Sequence, residues 1–154
     1  MIADVNSRMA TLTMPSYNLT IEAAYVDKCT MNEEERRAGI MYIIEGMYDG
    51  VFLYNEMSAQ HWAAEWLIEE DELYVCPDEL RRVMQRYILS VIYLSMEGSD
   101  WNECFAGDDE CGRESRSVFF GKSAYLSSAD ECKWAGSTCD NESSIIGLEF
   151  GKKT

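Results

Sequence analysis

Six cysteines in a chain of 154 residues are the feature that most narrows what this sequence can fold into. Four of them form two pairs of equal spacing, Cys104 with Cys111 and Cys132 with Cys139, each closing a loop of eight residues. An even count allows fifteen pairings if every thiol is oxidised. Local pairing stabilises each loop by about 2–3 kcal/mol, through chain entropy removed from the unfolded state. With those two bridges made, Cys29 is left to meet Cys76. Two glycosylation sequons, at Asn18 and Asn141, point the same way, to an oxidising, secretory setting. The opposing interpretation is six free thiols in a reducing compartment, with sequons that arose by chance.

The length fits one domain with a sizeable core, and a hydrophobic content of 47% separates the chain from disordered acidic tails. The net charge of −15 is repelled by phosphate backbones and anionic headgroups, so nucleic acid and acidic membrane surfaces are not expected partners. No apolar run reaches the eighteen residues of a membrane span, so membrane insertion is not expected. No signal peptide is visible in Met1 to Ala10.

Three segments follow from the pattern. Residues 1–31 are weakly periodic, with a turn at Pro15-Ser16 and a short strand or helix at Ile21 to Val26, and form an N-terminal arm. Residues 32–97 read as three helices. Asn32 before Glu33-Glu34-Glu35 caps the first, whose apolar spacing runs through Ile40, Ile43, Ile44 and Met47 and extends to Val51, with an end or kink expected near Asp49-Gly50. Ser58 opens the second, with Ala59, Trp62, Ala63, Trp66 and Leu67 on one stripe. Pro77 breaks the chain and Asp78 is the expected cap of the third, which runs to about Glu97 before Gly98. Its stripe is Leu80, Val83, Met84, Tyr87, Ile88, Val91 and Ile92. Residues 98–154 are loop-rich, with Val118-Phe-Phe120 as an apolar anchor and a final alternation, Ile146, Leu148 and Phe150, that signals a strand.

The segment Cys132-Lys-Trp134-Ala-Gly136-Ser-Thr-Cys139 resembles the Cys-x-Trp-x-Gly-Val-x-Cys signature of the plant-type N-terminal cap of leucine-rich-repeat proteins, with Ser137 in place of Val. Ile145, Leu148 and Phe150 resemble the first repeat strand after that cap. Upstream, Ser58 to Leu67 looks like the Ser-Pro-Gln…Ala-Leu-x-Trp-Leu segment of diatom and related algal members. Gln85-Arg86-Tyr87-Ile-Leu89 through Trp101 resembles their Gln-Arg-Tyr-Ala-Leu…Trp block. The likeness spans Ser58 to Phe150. It implies a mainly α fold: a helical cap of about three helices, a disulfide-bonded loop and one or two short edge strands, in a family that binds other macromolecules. The family continues into several repeats, whereas this sequence ends at Thr154, with Lys153 where the ladder Asn usually stands. A solenoid needs about three repeats to bury a continuous core. The chain is therefore either the N-terminal part of a longer protein or a cap-like domain with its own role. In the second case Ile145, Ile146, Leu148 and Phe150 form a partner-docking edge open to strand addition.

Sites with catalytic chemistry are not expected. His61 is the only histidine, and no Ser or Cys motif points to it. The run Glu69-Glu70-Asp71-Glu72 reads as a solvated acidic face rather than a pair of glycosidic acids. Asp108-Asp109-Glu110 lacks EF-hand spacing and allows a weak Ca²⁺ site at most. No cofactor or zinc motif occurs. Trp62, Trp66, Trp101 and Trp134 read as core and lid residues. The expected role is non-catalytic protein interaction or scaffolding at an extracellular or lumenal surface. The alternatives are a soluble accessory subunit of a larger algal assembly, membrane or photosynthetic, and a small secreted acidic hydrolase.

Overall fold

The structure, a computed structural model, describes residues 29–47 and 50–150 together with the backbone of two N-terminal strands. The chain divides into two compact units, Met1–Thr30 and Met31–Thr154. In the first, β1 (Met9–Thr13) pairs antiparallel with β2 (Thr20–Ala24), in a register that sets Met9 opposite Ala24 and Thr13 opposite Thr20. The segment expected as a strand or helix at Ile21 to Val26 thus contains a strand. The Pro15 turn and Asn18 lie outside the described residues.

The second unit is mainly helical. Helix α1 (Glu33–Glu45) starts where Asn32 Oδ1 accepts from the Glu35 amide at 2.9 Å, and three carboxylates occupy its positive end. It buries Ile40 and Ile44 and also, against its polar character, Arg36. Helix α2 (Ala59–Glu65) is capped by Ser58, whose Oγ accepts from His61 N at 3.1 Å. It runs directly into a π-helical turn, Trp66–Glu70, closed by the Asp71 amide on Trp66 O at 2.9 Å. Arg36 completes that wide turn. Its Nη1 donates to Ile68 O at 2.7 Å, its Nη2 to Leu67 O at 3.0 Å and its Nε to Val75 O at 3.0 Å. Buried carbonyls that the helix cannot satisfy are thereby paired, and the burial lowers the Arg36 pKa from its ordinary value.

Helix α3 (Leu80–Ser95) differs from expectation in two ways. Its cap position is Glu79 rather than Asp78, with no side-chain capping bond. Its buried face is Val83, Arg86, Tyr87, Leu89, Ser90 and Tyr93, while Leu80 and Ile88 are exposed. The stripe is turned because Arg86 and Ser90 are satisfied internally: Arg86 by an ion pair, Ser90 by its Oγ donating to Arg86 O at 2.7 Å. Glu97 adopts a left-handed conformation and Gly98 follows without a side chain. A Cβ there would sit 2.2 Å from the Tyr93 ring.

Beyond α3 the chain is mostly loop up to a short terminal hairpin, held by two bridges that match the spacing of the sequence. Cys104–Cys111 spans 4.6 Å between Cα atoms and Cys132–Cys139 spans 5.6 Å. All six cysteines are disulfide-bonded, in three bridges, and none is free. Three bridges fit an oxidising, extracellular-type environment. Among the described residues no helix is long and apolar enough to cross a membrane. The expected anchor at Val118-Phe-Phe120 is corrected: Val118 and Phe120 are exposed, and Phe119 alone packs on the core. The bulk there is aromatic instead. Tyr93 stacks on Tyr125 at 5.4 Å, Trp101 meets Tyr125 edge-on at 5.1 Å, and Tyr125 leads to Trp134 at 5.5 Å. Burial pushes the Tyr125 hydroxyl up to about 12.

Candidate functional site

The final hairpin brings most of the singled-out residues together. A 3-10 turn, Glu131–Lys133, is capped by Asp130, whose Oδ1 accepts from Cys132 N at 3.0 Å. Trp134 then points inward, fully buried, edge-on to Trp66 at 5.8 Å. Gly136 has φ +77°, and a Cβ on it would lie 1.9 Å from Glu149 O. Only glycine lets the loop turn against the returning strand at that point. Strand β3 (Ser137–Cys139) follows, and after a polar turn β4 (Ile145–Leu148) pairs back antiparallel. Lys122 Nζ donates to Cys132 O at 3.3 Å and to Ser137 O at 2.6 Å, which fixes the outer side of β3.

The register explains the burial of β4. Ser137 faces Leu148 and Thr138 faces Gly147, but Cys139 faces Ile145, so Ile146 is an extra residue in a bulge. Beyond the bulge the alternation slips by one. Ile145 and Leu148 therefore both pack on the core, and Ile146 is exposed. The expected period-two face of Ile146, Leu148 and Phe150 is corrected accordingly. Phe150 turns partly inward and meets Trp101 at 5.9 Å.

The same register fixes the polar edge. Glu149 N donates to Gly136 O at 2.9 Å, so that pair is of the hydrogen-bonded kind. The neighbouring pair, Ser137 and Leu148, is then of the other kind, with N–H and C=O turned away from the partner strand. On the β3 side the outward Ser137 carbonyl meets Lys122. On the β4 side the outward N–H and C=O of Leu148 have no hydrogen-bond partner among the described residues. Three residues back, the Ile145 N–H is taken by Gln85 Oε1 at 2.7 Å. The free edge is thus a short notch centred on Leu148, closed at one end by α3.

Sequence reasoning passed over the residues that hold this notch. Gln85 bridges α3 to the hairpin, its Nε2 donating to Ser143 O at 3.0 Å. Arg86 is fully buried beneath it. Its Nε donates to Asp71 Oδ2 at 2.8 Å and its Nη2 to Asp71 Oδ1 at 2.5 Å. It also donates to Ala129 O and Ser127 O at 2.9 Å each, and lies 4.7 Å from the centre of the Trp134 ring. Glu131, also buried, approaches the same guanidinium at 3.6 Å. The Gln85-Arg86-Tyr87 triplet was legible only as a pattern; its partners are 15 to 60 residues away.

The remaining candidates lie elsewhere. Asn141 is exposed in the β3–β4 turn, which Asp140 organises by accepting from Glu142 N and Ser144 N at 2.9 Å. His61 Nδ1 lies 3.1 Å from Leu53 O, and its ring meets Trp62. Trp62 is exposed on α2 rather than in the core. The acidic run is not uniformly solvated: Asp71 is buried on Arg86 while Glu69, Glu70 and Glu72 face solvent. Asp108 is committed to backbone, its Oδ2 accepting from Cys104 N at 2.6 Å and its Oδ1 from Glu110 N at 3.0 Å. No three His, Cys, Asp or Glu side chains converge as metal ligands among the described residues. An open cleft of about 670 Å³ is lined by Trp66, Leu126, Lys122 and the carboxylates of Glu70, Glu72 and Asp109. Its Lys122 is the residue spent on the hairpin carbonyls. Comparison with protein families, with curated proteins and with solved structures gives no match.

Proposed function

We propose that this chain is a non-catalytic interaction element, the cap of a leucine-rich-repeat-like stack, working at an extracellular or lumenal surface. The outward N–H and C=O of Leu148 carry the reading: they stand at the open side of a stapled hairpin whose other side is closed by Lys122. A strand laid alongside β4 satisfies both groups and covers exposed Ile146. The indole of Trp134 and the Gly136 turn support the cap, since they seal the core beneath the first strand.

The test extends the chain with consensus leucine-rich repeats placed in register after Phe150 and follows amide exchange. Protection of the Leu148 amide by about a hundredfold relative to the parent chain is the expected result, with the repeats folding in the same transition. Leu148→Pro, which removes the outward donor together with a side chain packed on the core, should abolish that coupling, and Leu148→Ala, which keeps the donor, separates the two effects. Repeats that fold without slowing exchange at Leu148, or that remain unfolded, sink the reading.

A further inference from the structure

A second surface lies on the segment joining α1 to α2. Tyr42 and Met57 are 79% and 91% exposed, Trp62 is 56% exposed, and Val51, Phe52 and Tyr54 are exposed as well. Local bonds tie these residues to one another. The Tyr54 hydroxyl donates to Glu45, one turn beyond Tyr42 on α1. Ser58 Oγ donates to Phe52 O, and Ser58 O accepts from Trp62 N at 3.3 Å. Leu53, fully inside, anchors the segment, and His61 Nδ1 sits on its carbonyl. The loop is therefore pinned from beneath while its large side chains stay in water, where each forfeits the stabilisation of burial.

Charge identifies the kind of partner. Between Arg37 and Arg81 the sequence carries ten Asp or Glu residues and no Lys or Arg. Of these, Glu65 and Glu69 are paired with Arg37, Glu79 with Arg82, and Asp71 is buried on Arg86. Glu45 and Glu56, exposed among the apolar residues themselves, are left to repel a second copy of this chain and attract cations. The backbone indicates the partner's form. Leu53 N, Asn55 N and Ser58 N are all bonded within the loop, so it offers side chains rather than a strand edge. A partner that meets it must satisfy its own backbone, which a helix does. We propose that Tyr42, Phe52, Tyr54, Met57 and Trp62 form a docking surface for a cationic amphipathic helix of a partner protein. Methionine and aromatic anchors suit such a helix, because they adapt to its apolar stripe while Glu45 and Glu56 meet its Lys and Arg.

The test titrates the full chain with a synthetic amphipathic Leu/Lys helix peptide and, in parallel, with the same peptide carrying Glu for Lys. Calorimetry and tryptophan fluorescence report binding; Trp62 is the most exposed indole. Binding of the Lys peptide alone, weakened about tenfold from 50 to 500 mM salt, is expected. Phe52→Ala with Trp62→Ala should weaken it at least tenfold, whereas Val118→Ala with Phe120→Ala, on exposed residues outside the surface, should leave it within twofold. Circular dichroism of each variant establishes that it is folded, and the single variants replace a double variant that is not. Equal loss with both pairs, binding of the Glu peptide, or no binding overturns the proposal. So does self-association in sedimentation that disappears with Trp62→Ala, or uptake by phosphatidylcholine vesicles without peptide binding. None of these outcomes depends on Leu148, so the result is separate from that of the repeat fusion.

Discussion

Removing the Arg86 guanidinium is the most direct perturbation of the architecture, because one side chain joins α3, the π turn and the disulfide loop. In Arg86→Met the methylene stem is kept and the charge is lost. Asp71, fully buried, then has no counter-ion, although it still accepts from Leu73 N at 3.1 Å. Glu131 loses its neighbour at 3.6 Å, and the carbonyls of Ser127 and Ala129 lose their donor. Breaking a buried pair from one side costs about 3–5 kcal/mol, as the surviving charge remains out of water. For a domain of this size that is a fall in melting temperature of roughly 10–20 °C. The assay is urea unfolding with the disulfides intact, on the parent, Arg86→Met, Asp71→Leu and the double variant. The double variant should recover at least about 1–2 kcal/mol of the summed single losses, since neither charge is then stranded on the other. A loss below about 1 kcal/mol in Arg86→Met, or strict additivity in the cycle, would refute the account of Arg86 as the joint.

Three further outcomes are expected. Tyr125 titrates from about 12 in the folded chain, above its ordinary value of 10.0, because burial disfavours the phenolate. The folded state therefore holds the proton longer, and its contribution is whole below pH 10 and lost as pH rises towards 12, roughly 2–3 kcal/mol. Tyr125→Phe should flatten that decline in rapid urea titrations, leaving the smaller share of Tyr93, whose pKa burial also raises. Gly136→Ala must both hold a left-handed conformation and push Glu149 O away from a Cβ at 1.9 Å. A cost above about 2 kcal/mol is expected by denaturant unfolding, and a neutral result would contradict the turn geometry. Intact-mass analysis of native material should show a gain of two hydrogens per bridge for three bridges on reduction, with any glycan at Asn141 read in the same spectrum; a mass unchanged on reduction would dismiss the oxidising setting.

Much of the local chemistry was legible in the sequence. Asn32 and Ser58 cap the helices they precede, since a side-chain oxygen three residues before a free amide acts within a single turn. The equal spacing of Cys104 with Cys111 and Cys132 with Cys139 produced the two local bridges, because such short loops keep their thiols close in any compact state. Three helices and a short terminal strand also followed from periodicity and helix-boundary residues. The errors share one cause. Hydrophobic periodicity assigned Leu80 and Ile88 to the inside of α3 and could not place Arg86 and Ser90 there. A guanidinium is buried only where a carboxylate and carbonyls converge on it, and Asp71, Ser127 and Ala129 are distant in sequence.

The strand edge divides in the same way. The amino acids determined that a strand would form at Ile145 to Leu148, and that a glycine would precede β3 and a tryptophan would lie in the loop. Which side chains of β4 face the core was decided by a bulge at Ile146, and which of its amides stay open was decided by Gln85 on α3 and by the pairing of Gly136 with Glu149. Register is a relation between two segments, and one inserted residue reverses the faces of all that follow. That relation exists only once the chain has folded, which is why the edge was foreseeable as a strand but its notch at Leu148 was not.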